Sequence, residues 1–197
     1  MQNFLKLFVG SCLVILLMAC QSEPKMEEEA EDIMEEEAIE TRAEAEETIQ
    51  LSLINSEEVE IGIATLKETK EGVQIAVEGH HLPEGEHGFH IHEKGICEAP
   101  EFESAGGHFK PDDKKHGFDH PEGPHGGDIQ NLEVNEDGTV DATFVNNRIT
   151  LKKDEEHSLY TKEGTALVIH ADPDDYISQP SGDSGDRIAC GIIVPAK

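Results

Sequence analysis

The stretch His87-Gly88-Phe89-His90-Ile91-His92-Glu93 constrains this chain more than any other. Side chains on a β-strand alternate between two faces. Phe89 and Ile91 therefore share one face, suited to a core, and His90 and His92 share the other. Two imidazoles side by side on a rigid strand make half of a transition-metal site, or simply a polar strand face. The rest of the chain decides between these, because it also supplies His108, His116, His125, Asp128 and His170.

From Ile49 onward the sequence falls into short alternating runs: Ile49–Leu53, Ile61–Ala64, Val73–Val77, His87–Glu93, Asp128–Val134, Thr139–Val145, Thr165–His170 and Ile188–Val194. Turn residues such as Asn135-Glu136-Asp137-Gly138 and Lys162-Glu163-Gly164 punctuate them. This rhythm predicts an all-β fold, an eight-stranded antiparallel Greek-key sandwich or flattened barrel. Two long connections interrupt it, Lys94 to Gly127 and Ala171 to Asp186. Loops of that length in a compact domain are usually functional.

The first loop carries Gly106-Gly107-His108, His116-Gly117 and His125-Gly126-Gly127-Asp128. Its glycines and prolines allow tight turns, so three imidazoles and a carboxylate can converge. His108, His116, His125 and Asp128 around one ion make a closed tetrahedral zinc site with no place for water. His90, His92, His108 and His170 form a second set, and four imidazoles suit copper(II). His108 belongs to both sets and would bridge two metals as an imidazolate.

Charge narrows the partners. The chain has 43 acidic and 15 basic residues and a formal charge of −28, which argues against nucleic acid, whose phosphates need Lys/Arg neutralisation. The apolar run Leu7–Ala19 falls short of the roughly 20 residues that span a bilayer and suits a secretory signal. Its end, Leu17-Met18-Ala19-Cys20, resembles a bacterial lipobox, which implies cleavage before Cys20 and a lipid on that thiol. The segment that follows is crowded with glutamate and poor in apolar residues, and reads as a solvated tether. The expected layout is a signal peptide over 1–19, lipidated Cys20 and an acidic tether over 20–48, and a folded domain over 49–197. Such a product is exported and held to a membrane of the bacterial envelope by lipid.

The spacing His90-x-His92, Gly-Gly-His108-Phe, His116, His125, Asp128 and His170, with Gly185-Asp186-Arg187-Ile188-Ala189-Cys190-Gly191, resembles copper–zinc superoxide dismutase, in its bacterial, exported branch. The resemblance runs nearly continuously from Ile49 to Lys197. It implies one copper and one zinc ion per chain and dismutation of superoxide to oxygen and hydrogen peroxide. It also implies catalytic roles for His108 and Arg187, a disulfide between Cys97 and Cys190, and Asp174 linking His90 to His116 behind the metals. Asp172 or Asp175 could replace Asp174 in that role. His87 is expected to be structural, His120 exposed, and His80, His81 and His157 surface turn residues. The homodimer or monomer question stays open, because relatives use different faces. The alternative function is a non-catalytic copper-binding or metal-buffering lipoprotein of the same fold, and a structural surface lipoprotein is a third.

One departure stands out. Relatives often carry a lysine in the second loop that attracts the anionic substrate, and this chain has Ile177 there. With Asp172, Asp183 and Asp186 close in sequence, weaker electrostatic steering is expected. Lys94, Lys110, Lys114 and Lys115 are the cations available to offset it.

Overall fold

The computed structural model describes residues 47–197. The expected signal sequence, Cys20 and the acidic tether as far as residue 46 lie outside the described residues. The strands are β1 (Thr48–Asn55), β2 (Glu60–Thr69), β3 (Gly72–Gly79), β4 (Gly85–His87), β5 (Phe89–His92), β6 (Leu132–Val134), β7 (Val140–Asn146), β8 (Thr165–His170) and β9 (Arg187–Val194). One 3-10 turn, Glu103–Ala105, sits in the first loop.

All pairings between these strands are antiparallel. Seven strands form one sheet in the order β5-β8-β9-β1-β2-β3-β7, and β4 pairs with β6. Alternation is clean where one face meets water. In β3, Val73, Ile75 and Val77 are buried while Gln74 and Ala76 are partly exposed. In β2, Ala64 and Leu66 are buried while Ile63 and Thr65 are partly exposed; Ile61, also buried, lies out of that phase where the register against β1 shifts. The buried side chains join Leu53, Phe89, Ile91, Leu132, Leu167 and Ile169 in the main core. Burial of each valine, leucine, isoleucine or phenylalanine among them contributes about 1.5–3 kcal/mol.

Two predicted strands differ from expectation. The run around Phe89 is broken at Gly88: β4 pairs with β6, whereas β5 pairs with β8. Gly88 is where the chain changes partner. Its N–H donates to Asp172 O and its carbonyl accepts from His170 N–H. A Cβ there would lie 2.7 Å from the Ser184 Cβ. The run Asp128–Val134 is a strand only at Leu132–Val134, because Asn131 N–H donates to the Tyr176 hydroxyl rather than to a ladder.

Strands β5 and β8 are buried on both faces. Phe89, Ile91, Leu167 and Ile169 fill the main core. On the other face Ala166 and Val168 pack with Phe102, Ala105 and Cys190. The Cys97–Cys190 disulfide ties the first loop to β9 there. His90 and His92 pair across from Val168 and Ala166, so they project from that second face, under the long loops.

Candidate metal centre

Two clusters of donors lie on that face. His90, His92, His108 and His170 place one ligand atom each within 4.8 Å of one another, as do His108, His116, His125 and Asp128. All of these side chains are buried. Strands supply His90, His92 and His170. His108 is brought in by an isolated bridge to His92, and Asp128 by one to His90.

In the first cluster the outward ring nitrogens are occupied. His90 Nε2 lies 2.8 Å from Asp174 Oδ2, and His108 Nδ1 lies 2.9 Å from Asp128 Oδ1. His92 Nδ1 donates to Gly106 O at 2.9 Å and His170 Nδ1 to Gly185 O at 3.3 Å. The inward nitrogens then carry lone pairs. His90 Nδ1 and His108 Nε2 are buried without a hydrogen-bond partner. His92 Nε2 and His170 Nε2 face each other at 3.3 Å. Both rings already donate through Nδ1, so in neutral rings neither Nε2 has a proton to share. Four inward lone pairs are what a soft-to-borderline cation needs. Burial, then neighbouring rings, holds His92 well below its ordinary pKa, His108 at about 3 and His170 at about 2. These rings are neutral near pH 7, the state that ligates metal.

The second cluster centres on a carboxylate. Asp128 Oδ1 lies 2.9 Å from His108 Nδ1 and 3.1 Å from His116 Nδ1. His125 Nδ1 is 3.3 Å from the same oxygen without a hydrogen bond to it. Asp128 Oδ2 accepts the N–H groups of Gly117 and His125, each at 2.9 Å. Burial alone would raise the Asp128 pKa, but these bonds outweigh it and hold the carboxyl ionised. Three imidazole nitrogens and one carboxylate oxygen fit a tetrahedral divalent cation.

Asp174 joins the clusters. Its Oδ2 meets His90 Nε2, and its Oδ1 meets His116 Nε2 at 2.9 Å. Burial opposes protonation of His116, but its bonds to Asp128 and Asp174 prevail and raise its pKa to about 9. Gly182, at φ 72°, passes so close that a Cβ would collide with Asp174 Oδ1 and His116 Nε2. Asp172 takes no part in this bridge; its carbonyl and N–H bond Gly88 N–H and Ser184 O. Asp175 instead accepts the N–H groups of Ile177 and Ser178.

Other side chains fix these groups from behind. Arg148 Nη2 donates to Asp128 O at 2.7 Å and its Nε to His125 O at 3.3 Å, while Asn146 Nδ2 donates to Gly126 O at 2.8 Å. Asn131 bonds both the N–H and the carbonyl of Asp174. Sequence reasoning missed these three residues. Asn131 follows Asp128 by three positions, a detectable cue, but nothing in Asn146-Asn147-Arg148 marks a clamp before the fold is known. His87, buried, bonds His170 O and Pro83 O. His120 lies outside both clusters, and its Nδ1 accepts Glu122 N–H.

Beside the clusters lies a channel of about 590 Å³ lined by His92, His108, Lys110, Lys114, Lys115 and Arg187, among others. Arg187 is half-buried and fixed, its Nη1 donating to Phe102 O at 2.6 Å and its Nη2 to Gly106 O at 2.7 Å. A guanidinium held this way presents its remaining donors to a small anion.

Comparison with known proteins agrees with this chemistry. Residues 60–193 match the family described as copper/zinc superoxide dismutase (SODC). The chain is similar to superoxide dismutase [Cu-Zn] 2 of Aquifex aeolicus, 52% identical over 142 residues, covering 72% of this chain and 83% of that one. Among solved structures, a SOD-like protein from Bacillus subtilis superposes with a TM-score of 0.72 at 42% identity, covering 76% of this chain and 99% of that chain. The Cu/Zn superoxide dismutase from Brucella abortus superposes with a TM-score of 0.62 at 30% identity, covering 75% and 99%.

Proposed function

The chain belongs to the copper/zinc superoxide dismutase family, and from that premise we propose that His90, His92, His108 and His170 hold copper and that His108, His116, His125 and Asp128 hold zinc. The protein disproportionates superoxide to oxygen and hydrogen peroxide. The observation that carries the ligand assignment is the set of inward nitrogens, above all the unpartnered His90 Nδ1 and His108 Nε2.

When bound, copper supplies a one-electron couple and zinc a fixed positive charge without redox change. The chain supplies the rest. Arg187 binds the anion in the channel and orients it beside His92 and His108. His108 lines that channel and has Nδ1 turned to the zinc side and Nε2 to the copper side. A proton held at His108 Nε2 would therefore face the same channel as an anion seated on Arg187. Asp174 and Gly106 O hold His90 and His92 in fixed ring orientations, as outer partners of metal ligands do.

The same reading includes cleavage before Cys20, lipidation there, a tether as far as residue 48 and a catalytic domain over 49–197, placing the enzyme in the bacterial envelope on its membrane. The Cys97–Cys190 disulfide supports an oxidising compartment. The test is the superoxide-consuming rate of the copper- and zinc-loaded protein with Arg187→Ala and His108→Ala beside it. Fast turnover that falls in both variants is expected. Stoichiometric metal binding without turnover would move the protein to the copper-buffering alternative. Mass spectrometry of the protein from its native membrane tests Cys20: an intact N-terminus without added lipid would refute the anchor.

A further inference from the structure

We propose that Tyr176 is a positioning residue for both metal centres: its hydroxyl and its left-handed backbone hold the Asp174 carboxylate in place for His90 and His116 together. This role presupposes the metal assignment above and adds to it a residue that supplies no ligand.

Tyr176 sits at φ 64°. Bulky side chains rarely adopt this region, and they stay there only where surrounding contacts over-determine the backbone. Three polar groups of Tyr176 do so. Its N–H donates to Asp174 Oδ1 at 2.7 Å, the oxygen that also meets His116 Nε2. Its carbonyl accepts Asp119 N–H at 3.0 Å. A Cβ at Gly117 would collide with that carbonyl, so the chain leaving His116 passes directly over it. Its hydroxyl accepts Asn131 N–H at 2.8 Å. The ring packs edge-on against Phe118, with centroids 5.5 Å apart.

These contacts form one path. The Tyr176 hydroxyl fixes the Asn131 backbone. The Asn131 side chain then brackets Asp174, accepting its N–H at 2.9 Å and donating to its carbonyl at 3.0 Å. Asp174 is held from two directions, its backbone by Asn131 and its carboxylate by the Tyr176 N–H. Its Oδ2 is left for His90 Nε2. A carboxylate with one oxygen on a copper-side ring and the other on a zinc-side ring must keep both its place and its tilt. Loss of the hydroxyl leaves Asn131 N–H without its acceptor, loosens the bracket, and is felt at both rings. A tie that merely joined the two loops would cost thermal stability without disturbing the His90 ring. Arg148 gives the contrast, because its bonds to protein carbonyls go to Asp128 and His125 on the zinc side.

The test is the copper- and zinc-saturated protein against its Tyr176→Phe variant, which keeps the ring and the peptide and removes one oxygen. Ile177→Ser is the neighbouring control, a half-exposed side chain outside both clusters. The visible band and the paramagnetic-resonance hyperfine splitting of copper(II) should shift in Tyr176→Phe and keep parent values in Ile177→Ser. Zinc affinity, read by chelator competition, should fall about tenfold in Tyr176→Phe, the lower end for lost outer partners of metal ligands. Asn131→Ala should shift the copper signals in the same sense. The double variant should add little to it, since groups on one path are not additive. Copper signals unchanged in Tyr176→Phe would overturn the proposal, whatever became of its zinc affinity or melting temperature, and would leave the dismutase reading intact. Fully additive shifts in the double variant would overturn the path through Asn131. Failure of the dismutase reading looks different: the unsubstituted protein itself would bind no copper at these histidines or show no turnover.

Discussion

Two irregular stretches of similar length, residues 110–127 and 147–164, are held in place by different chemistry. The first carries His116 and His125 on a backbone whose side chains are largely exposed from Pro111 to Lys115. Polar atoms fix it: Asp128 takes the N–H groups of Gly117 and His125, and Gln179 brackets both the N–H and the carbonyl of His116. The second stretch is fixed by burial. Ile149, Leu151 and Leu159 sit in the main core. Glu68 Oε2 accepts Leu151 N–H at 2.6 Å and the Thr150 hydroxyl at 3.0 Å. Irregular backbone can therefore be ordered by an apolar core or by polar groups converging on a cluster of metal donors, and only the latter order is expected to depend on metal.

Stripping both metals should break that symmetry most visibly. Chelation of the loaded enzyme should abolish turnover and speed amide exchange across 111–127 and 172–186 by at least about 100-fold, since ligand-held segments open locally. Exchange across 147–164 should stay within a few-fold. Equal loosening of both stretches, read by exchange mass spectrometry, would mean the distinction is wrong.

Leu151→Ala should do the converse. Leu151 is fully buried, and truncation of a buried leucine costs about 2–5 kcal/mol. Denaturant unfolding should show that loss, while the zinc affinity of the folded protein stays unchanged. A weakened zinc site would show that the two stretches share one cooperative unit.

The contrast also explains what the sequence made legible. Alternation in β2 and β3 is visible because one face of each strand meets solvent. His90 and His92 were legible as period-two neighbours alternating with Phe89 and Ile91, although their strand is buried on both faces. The zinc-side donors were legible only as a spacing, because loop residues have no period to read. The break at Gly88 was hidden, since partner exchange between β4 and β5 is a property of the sheets and not of the run. Loop length was taken as a sign of function at two connections; the structure has a third, 147–164, between β7 and β8, which that reading passed over, and its three buried aliphatics serve the core. The lysines were visible as charges but not as a channel wall, because their placement depends on how 110–115 folds against 179–181.

Arg148 bridges the two kinds of order. It belongs to the apolar-anchored stretch, yet it holds His125 and Asp128 by their carbonyls, and its guanidinium lies 5.2 Å from the centroid of the Phe118 ring. Arg148→Gln should weaken zinc by about 10- to 100-fold, as loss of outer partners of metal ligands does. At saturating zinc the visible spectrum of copper should be unchanged, because His90 keeps the Asp174 carboxylate and His92 and His170 keep their carbonyl partners. Competition with a zinc chelator reads the first quantity. Unaltered zinc affinity would confine Arg148 to a packing role.

The smallest effect concerns a contact that needs neither metal nor deep burial. Tyr160 closes the apolar-anchored stretch by donating its hydroxyl to Glu47 Oε1 at 2.6 Å, just before β1. Lys153 Nζ lies 3.4 Å from the same oxygen and 4.6 Å from the Tyr160 ring centroid. Burial first, and then the bond to Glu47, raises the phenol from its ordinary value of 10 to about 12. A pKa raised by folding means that the neutral phenol is the stabilising form. Its contribution is complete below pH 10 and is lost as pH climbs toward 12. The metal-loaded parent should thus lose thermal stability in that window, and Tyr160→Phe, which has no proton to lose, should lack that component. At neutral pH the variant should cost no more than about 1 kcal/mol, the worth of one partly exposed hydrogen bond. Metal content should be the same in both proteins throughout. If the parent and variant fell in parallel between pH 10 and 12, the alkaline loss would belong elsewhere, and the Glu47–Tyr160 bond would add nothing to the order of 147–164.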